Sequence, residues 1–295
     1  MSDPEKLKAV RPANFQAWED AVVHDRKTQQ ERIATELLLA AIGLTESFKD
    51  KILLKGGILV GAVYQSGRNT ADIDFSTTAE PHKNFLAVLE KELADSLPLA
   101  AAKIGAPNLI LKIQTVKYRP KDTVFEAAIA PAVEIKFAFA NRGEESEKKL
   151  ISGKSNNIIY ADISFNEEIL CIEEIAIGDS GLSFFAYSKH DLVAEKLRAI
   201  LQQKLRKRNR RQDVYDLWFI TQNHDFTDYD KQKIKIALIK KCQSRNIEPT
   251  NASLEDPEII ERSREDWLTL KNEVEFLPEF DDAFSAVKQF YSQLW

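Results

Sequence analysis

Apolar residues along this chain change their spacing as the chain proceeds, and the changes divide it. From Asn14 to Lys49 they recur at helical spacing, Leu37, Leu38, Ala41 and Ile42 among them, which predicts a helical hairpin. Ile52-Leu53-Leu54 then reads as a strand, and a second follows where apolar Ile73 and Phe75 alternate with Asp72 and Asp74. Phe85, Leu86, Leu89 and Leu93 return to helical spacing. Three further strand-like runs start at Leu109, Ala132 and Ile158, with a charged stretch from Asn141 to Asn157 expected to be an exposed excursion. From Ser188 onward every apolar pattern is helical. One helix carries Leu192, Val193, Leu197 and Ile200, the next Val214, Leu217 and Ile220, and three more are expected between Tyr229 and Trp295. Ser188 and Asp191 stand as in a capping box at the head of that series. The expected fold class is α+β over residues 1–186, followed by a helical domain over 187–295.

A chain of 295 residues, 44% hydrophobic and 29% charged, has the composition of a soluble globular protein with one large or two modest cores. No apolar run approaches the roughly 20 residues needed to cross a bilayer, and the first residues begin no signal peptide, so cytoplasmic residence without a membrane partner is expected. Cys171 and Cys242 lie far apart and imply neither a disulfide framework nor a zinc knuckle. A net charge of −5 argues against a surface that coats nucleic acid throughout. It leaves room for a local patch. Lys204, Arg206, Lys207, Arg208, Arg210 and Arg211 crowd one short stretch, either as a solvated helix end or as a phosphate-binding surface.

Candidate chemistry centres on the second strand. Asp72 and Asp74 leave the same face, and two carboxylates so close call for a cation between them; a magnesium ion carrying phosphate fits. The Gly56-Gly57 pair upstream lets backbone approach a ligand and offers N–H groups to anionic oxygens. Order supports the reading: strand, glycine pair, apolar Ile58-Leu59-Val60, acidic strand. Together they suggest a site for a nucleoside triphosphate held through Mg2+. A third carboxylate would complete the metal cage, with Asp162 favoured over Glu134, whose alternative is a surface ion pair with a neighbour such as Lys136. Lys196, among apolar neighbours on a helix, would either snorkel to solvent or aim an ammonium at phosphate, and Asp213 and Asp216, one turn apart, could orient it.

These residues resemble the AbiEii nucleotidyltransferase toxins, the toxin halves of type IV toxin–antitoxin and abortive-infection pairs within the polymerase-β-like superfamily. The resemblance rests on Gly56-Gly57, Arg68-x-Thr70-x-Asp72-x-Asp74-Phe75, Asp162-Ile163-Ser164-Phe165, Ala194-Glu195-Lys196-Leu197-Arg198-Ala199 and Arg211-x-Asp213-x-Tyr215-Asp216-Leu217, and spans about residues 35 to 222. It implies a minimal polymerase-β-like nucleotidyltransferase domain with a mixed sheet, an all-helical C-terminal domain and a cleft between them. It implies Mg2+, an NTP substrate and an RNA acceptor, the 3′ end of tRNA first, together with a cognate antitoxin. Carried over residue by residue, Asp72 and Asp74 are catalytic and bind metal, Gly57 and Arg68 hold phosphate, Thr70 lies beside the metal, and Lys196 and Asp213 act from the helical side. Two other classes share parts of this pattern. A metal-dependent glycosyltransferase also uses D-x-D, but no βαβ series with a glycine fingerprint precedes the motif here. A non-catalytic nucleotide-binding module would keep the fold without the reaction.

Overall fold

A computed structural model describes residues 3–295. Its strands are β1 (Glu5–Ala13), β2 (Ile52–Lys55), β3 (Asp72–Thr77), β4 (Leu109–Arg119), β5 (Ala132–Asn141), β6 (Ile158–Ser164), β7 (Cys171–Ile177) and β8 (Leu182–Tyr187). They form one eight-stranded sheet in the order β1-β7-β8-β2-β3-β6-β5-β4. The pairs β1–β7, β2–β8 and β3–β6 are parallel and the remaining pairs antiparallel, so the sheet is mixed. Ile52, Leu53 and Leu54 are all buried, as a central strand covered on both faces requires.

The helices are α1 (Phe15–Asp20), α2 (Arg26–Gly43), α3 (Gly56–Ile58, running on into a π-helical turn at Leu59–Val63), α4 (Phe85–Lys103), α5 (Glu145–Ile151), α6 (Lys189–Leu201), α7 (Gln203–Arg206), α8 (Arg211–Asn223), α9 (Asp228–Gln243), α10 (Pro257–Arg264) and α11 (Phe280–Ser292). α2 is apolar nearly all round between Ala34 and Ile42 and is buried against α4 and the sheet. α6 packs on α8 and α9 through Leu192, Val193, Leu197 and Ile200. Beyond Tyr187 the described residues form helices and connections only. The fold is α+β with a helical C-terminal region, in keeping with the expected class.

Several local expectations are corrected. The chain reaches the helices of its N-terminal region through a strand: β1 pairs in parallel with β7 from Glu5 to Ala13. Its Lys6 and Lys8 side chains are exposed, as suits an edge strand, and with half-buried Arg11, which pairs with Glu173, they interrupt the apolar alternation. The 141–157 excursion contains α5, whose buried Leu150 covers Ala138 and Ala140 of β5. At the head of α6, Ser188 Oγ accepts from Asp191 N, but the Asp191 carboxylate turns away to accept from the backbone N–H groups of Leu170 and Cys171. Only half of the capping box forms there. A complete one, Thr227 with Asp230, starts α9.

Candidate active site

Strand register assembles a row of charges across the middle of the sheet. Lys55 of β2 pairs with Asp74 of β3, Asp74 with Asp162 of β6, and Asp162 with Glu134 of β5. Paired residues in a sheet share a face, so these four side chains emerge together, with Asp72 two positions along. Ile73 and Phe75 point the other way into the core, at 0% and 1% exposure. Burial pushes the Asp74 carboxyl above its ordinary pKa; Lys55 works against the shift, and Asp162 adds to it.

The first glycine is fixed by the same carboxylate, the second by Thr70. Gly56 has φ of +71°, a left-handed value, and a Cβ there would come 2.2 Å from Asp74 Oδ2. Gly57 lies against Thr70, with a Cβ position 2.9 Å from Thr70 Oγ1. Only glycine fits both the conformation and the contact at position 56.

From the helical side come α6 and α8. Lys196 Nζ donates to Asp213 Oδ1 at 3.2 Å and to Asp216 Oδ2 at 2.6 Å. Burial alone would lower the Lys196 pKa, but Asp216 and then Asp213 hold it above the ordinary lysine value. A cleft of about 170 Å³ is lined by Lys55, Gly56, Asp74, Lys196, Arg210 and Asp213, with Glu195 and Arg198 beside them. Residues 55–74 and 196–213 thus meet across one space. Burial opposes ionisation of Glu195, yet Arg198 and Lys241 hold its pKa down to about 2, so it is a fixed negative charge at the wall.

Other candidates sit differently. Arg68 is buried, donating to Asp216 at 2.6 Å, with Glu273 3.8 Å away, so its guanidinium is engaged in an ion cluster. Glu134 pairs with Lys117 at 3.0 Å and with Arg119 at 3.1 Å, the surface ion pairing that its sequence context allowed, though with different partners. Arg119 also donates to Asp162 Oδ2, while Asp162 Oδ1 is buried without a hydrogen-bond partner. Arg206, Lys207 and Arg208 are exposed, Lys204 is paired with Asp256, and Arg210 reaches the cleft. Sequence reasoning gave no role to Lys55 or Arg119. Lys55 adjoins the glycine pair and could have been noticed; Arg119 becomes relevant only through the β4–β5–β6 pairing.

Among the described residues, no three His, Cys, Asp or Glu side chains already converge as a metal cage. The donor chemistry nevertheless fits magnesium. Mg2+ is commonly held by one or two carboxylates, with water and substrate phosphate completing its shell. Asp72 and Asp74 supply two hard oxygen donors, and the orphaned Asp162 Oδ1 leaves a third acceptor beside them. Lys55 has no ion-pair partner among the described residues, and Lys196 uses two of its three donors on aspartates, so both can still meet phosphate oxygens.

Comparison with known proteins gives a consistent result. The family model described as "Nucleotidyl transferase AbiEii toxin, Type IV TA system" matches residues 37–286. No curated protein matches by sequence. Among solved structures, the chain is similar to MenT4, a nucleotidyltransferase toxin from Mycobacterium tuberculosis, at 14% identity and TM-score 0.53, covering 95% of this chain and 89% of that one. It is also similar to JHP933 from Helicobacter pylori, at 13% identity and TM-score 0.51, covering 92% of each. At such identities these likenesses concern the fold.

Proposed function

The chain belongs to the AbiEii nucleotidyltransferase toxin family of type IV toxin–antitoxin systems, and on that premise we propose that it moves an NMP from an NTP to an RNA acceptor, the tRNA 3′ end first. The observation that carries this reading is the cleft where Asp74 faces Lys196 and Asp213, although 139 residues of sequence separate Asp74 from Asp213.

In this reaction the acceptor hydroxyl oxygen bonds to the α-phosphorus, and the bond from that phosphorus to pyrophosphate breaks. Asp72 and Asp74 would hold Mg2+, with Asp162 as the third acceptor; the ion would neutralise phosphate charge and polarise the reacting oxygens. Gly56 and Gly57 let backbone approach the triphosphate. Lys55 and Lys196 face its oxygens from opposite walls. Asp213 and Asp216 keep Lys196 protonated and aimed, and this alignment of fixed charge before substrate arrives favours the transition state. Arg68 acts from behind, by holding Asp216. Thr70 supports Gly57. Arg119 must give up Asp162 if that carboxylate turns to a cation. A cognate antitoxin is the expected protein partner.

The test is incubation of the protein with each α-labelled NTP, magnesium and total RNA. Label is expected in RNA, and lost with Asp72→Ala or Asp74→Ala while the fold is retained. Full transfer by either variant, or label found only on the protein, would overturn the reading.

A further inference from the structure

A second, wider cavity lies away from the catalytic cleft, and nothing in the proposed reaction uses it. It encloses about 680 Å³ between α1, the 65–69 loop, α8 and the 272–276 segment, a size ordinary for small-ligand sites. One wall is aromatic: the ring centroids of Tyr215 and Trp218 are 5.6 Å apart, and those of Trp218 and Phe276 6.1 Å. Phe276 is 66% exposed, so one face of its ring is open to a ligand.

The polar lining has a distinct character. Gln65, Asn69 and Asn272 are exposed amides, each able to donate and accept at once. The carboxylates of Glu273 and Glu275 line the same space. Arg68 stands 3.8 Å from Glu273, and Arg32, which stacks 4.7 Å over the Trp18 ring and donates to Asn69 Oδ1, is a cation of the same lining, so the charges here come close to balance. Aromatic planes with amides suit a flat, uncharged ring bearing both donors and acceptors. A lining whose charges balance offers no surplus of cations to a triphosphate. A nucleobase whose sugar-phosphate stays outside meets both conditions; a nucleoside polyphosphate does not.

Position relates this cavity to the reaction. Asn69 of its lining is three residues before Asp72, a span of at most about 11 Å of extended chain. We propose that the cavity binds an unpaired base of the acceptor RNA, next to the 3′ end that enters the catalytic cleft. The proposal rests on the RNA-directed reading above and adds to it a requirement for single-stranded RNA at this place. Recognition by stacking on exposed side chains is the usual way proteins hold unpaired bases.

The experiment compares wild type with Phe276→Ala and Trp218→Leu. Affinities are measured for a short single-stranded oligoadenylate, a blunt-ended RNA duplex, adenosine and NTP. Both variants are expected to bind the oligoadenylate about fivefold or more weakly, the scale of one lost stacking contact. Duplex and NTP affinities are expected to stay as in wild type, and in transfer assays KM for RNA should rise while kcat holds. Phe276→Ala removes a side chain that is mostly in solvent, so its fold is not at risk. Unchanged oligoadenylate affinity, or equal losses for duplex and single strand, overturns the proposal. Adenosine binding as tight as the oligoadenylate would also overturn it, by assigning the cavity to a free nucleoside. The two readings fail separately. Transfer with a KM indifferent to both variants removes the base site and keeps the reaction. Oligoadenylate binding that depends on Phe276, without transfer to any RNA, keeps the site and removes the reaction.

Discussion

Replacing Asp216 by Asn should be among the most damaging conservative changes in this protein. The carboxylate is fully buried, and its Oδ2 accepts from both Lys196 Nζ and Arg68 Nη1 at 2.6 Å. Asparagine keeps the shape and removes the charge, leaving two buried cations short of a counter-ion. Breaking a buried ion pair by removing one partner costs about 3–5 kcal/mol. The lower end applies here, because Lys196 keeps Asp213 at 3.2 Å and Arg68 keeps Glu273 at 3.8 Å. A loss of about 3 kcal/mol at neutral pH is expected in urea unfolding.

The pH dependence carries a second check. In the native protein Lys196 has a raised pKa, despite burial, because of Asp216 and Asp213. Its contribution to stability is therefore complete below the unfolded lysine value of about 10.4 and is lost only as pH rises through the higher folded one. Without Asp216, burial prevails and the folded pKa drops below the unfolded one. The unfolded chain then binds more protons, and stability rises with pH in that window. The deficit of Asp216→Asn should therefore shrink between about pH 7 and pH 10. A deficit below about 1 kcal/mol at pH 7, or one that widens with pH, would refute this account of the cluster.

Three further outcomes are expected. Gly56→Ala should abolish transfer and destabilise by about 1–3 kcal/mol, since φ of +71° is strained for alanine and its Cβ would strike Asp74; label incorporation and urea unfolding measure both. Asp74→Asn should abolish transfer yet resist urea better than wild type at pH 7, because the carboxyl's raised pKa means that its ionisation opposes folding once pH exceeds the unfolded value of about 3.9. Replacing Arg206, Lys207 and Arg208 together by Ala should lower RNA affinity and flatten its logarithmic salt slope by up to about 2 for single strands, with NTP affinity unchanged by filter binding or calorimetry.

Much of this arrangement was legible in the sequence because it is local. Ile73 and Phe75 alternate with Asp72 and Asp74 within one strand, and Gly56-Gly57 needs only its own turn. Lys196 and Asp213 stood out through their helices, and membership of the AbiEii family decides against the glycosyltransferase alternative and the silent module. What escaped notice depends on pairing between distant strands. Arg119 reaches Asp162 only because β5 lies between β4 and β6. Arg68 gives no sign in sequence that Asp216, on α8, will hold it. The β7–β8 hairpin has apolar alternation and a Gly-Asp-Ser-Gly turn, so its signal was present although no strand was assigned there. β1 was hidden by the basic residues Lys6, Lys8 and Arg11, which interrupt its apolar alternation.

Assembly of the cleft from both ends of the chain also sets a clock. Asp72 leaves the ribosome roughly 140 residues before Asp213, about 7 to 28 s at ordinary synthesis rates of about 5–20 residues per second. Until β6 emerges, Asp74 has no strand to pair with on that side, and until α8 emerges Lys196 has neither of its aspartates. A nascent or prematurely terminated chain therefore carries the acidic strand without the opposing wall. On the proposed reaction, translation must run past Asp216 before the cleft can work, and the cell that makes the protein gains that interval.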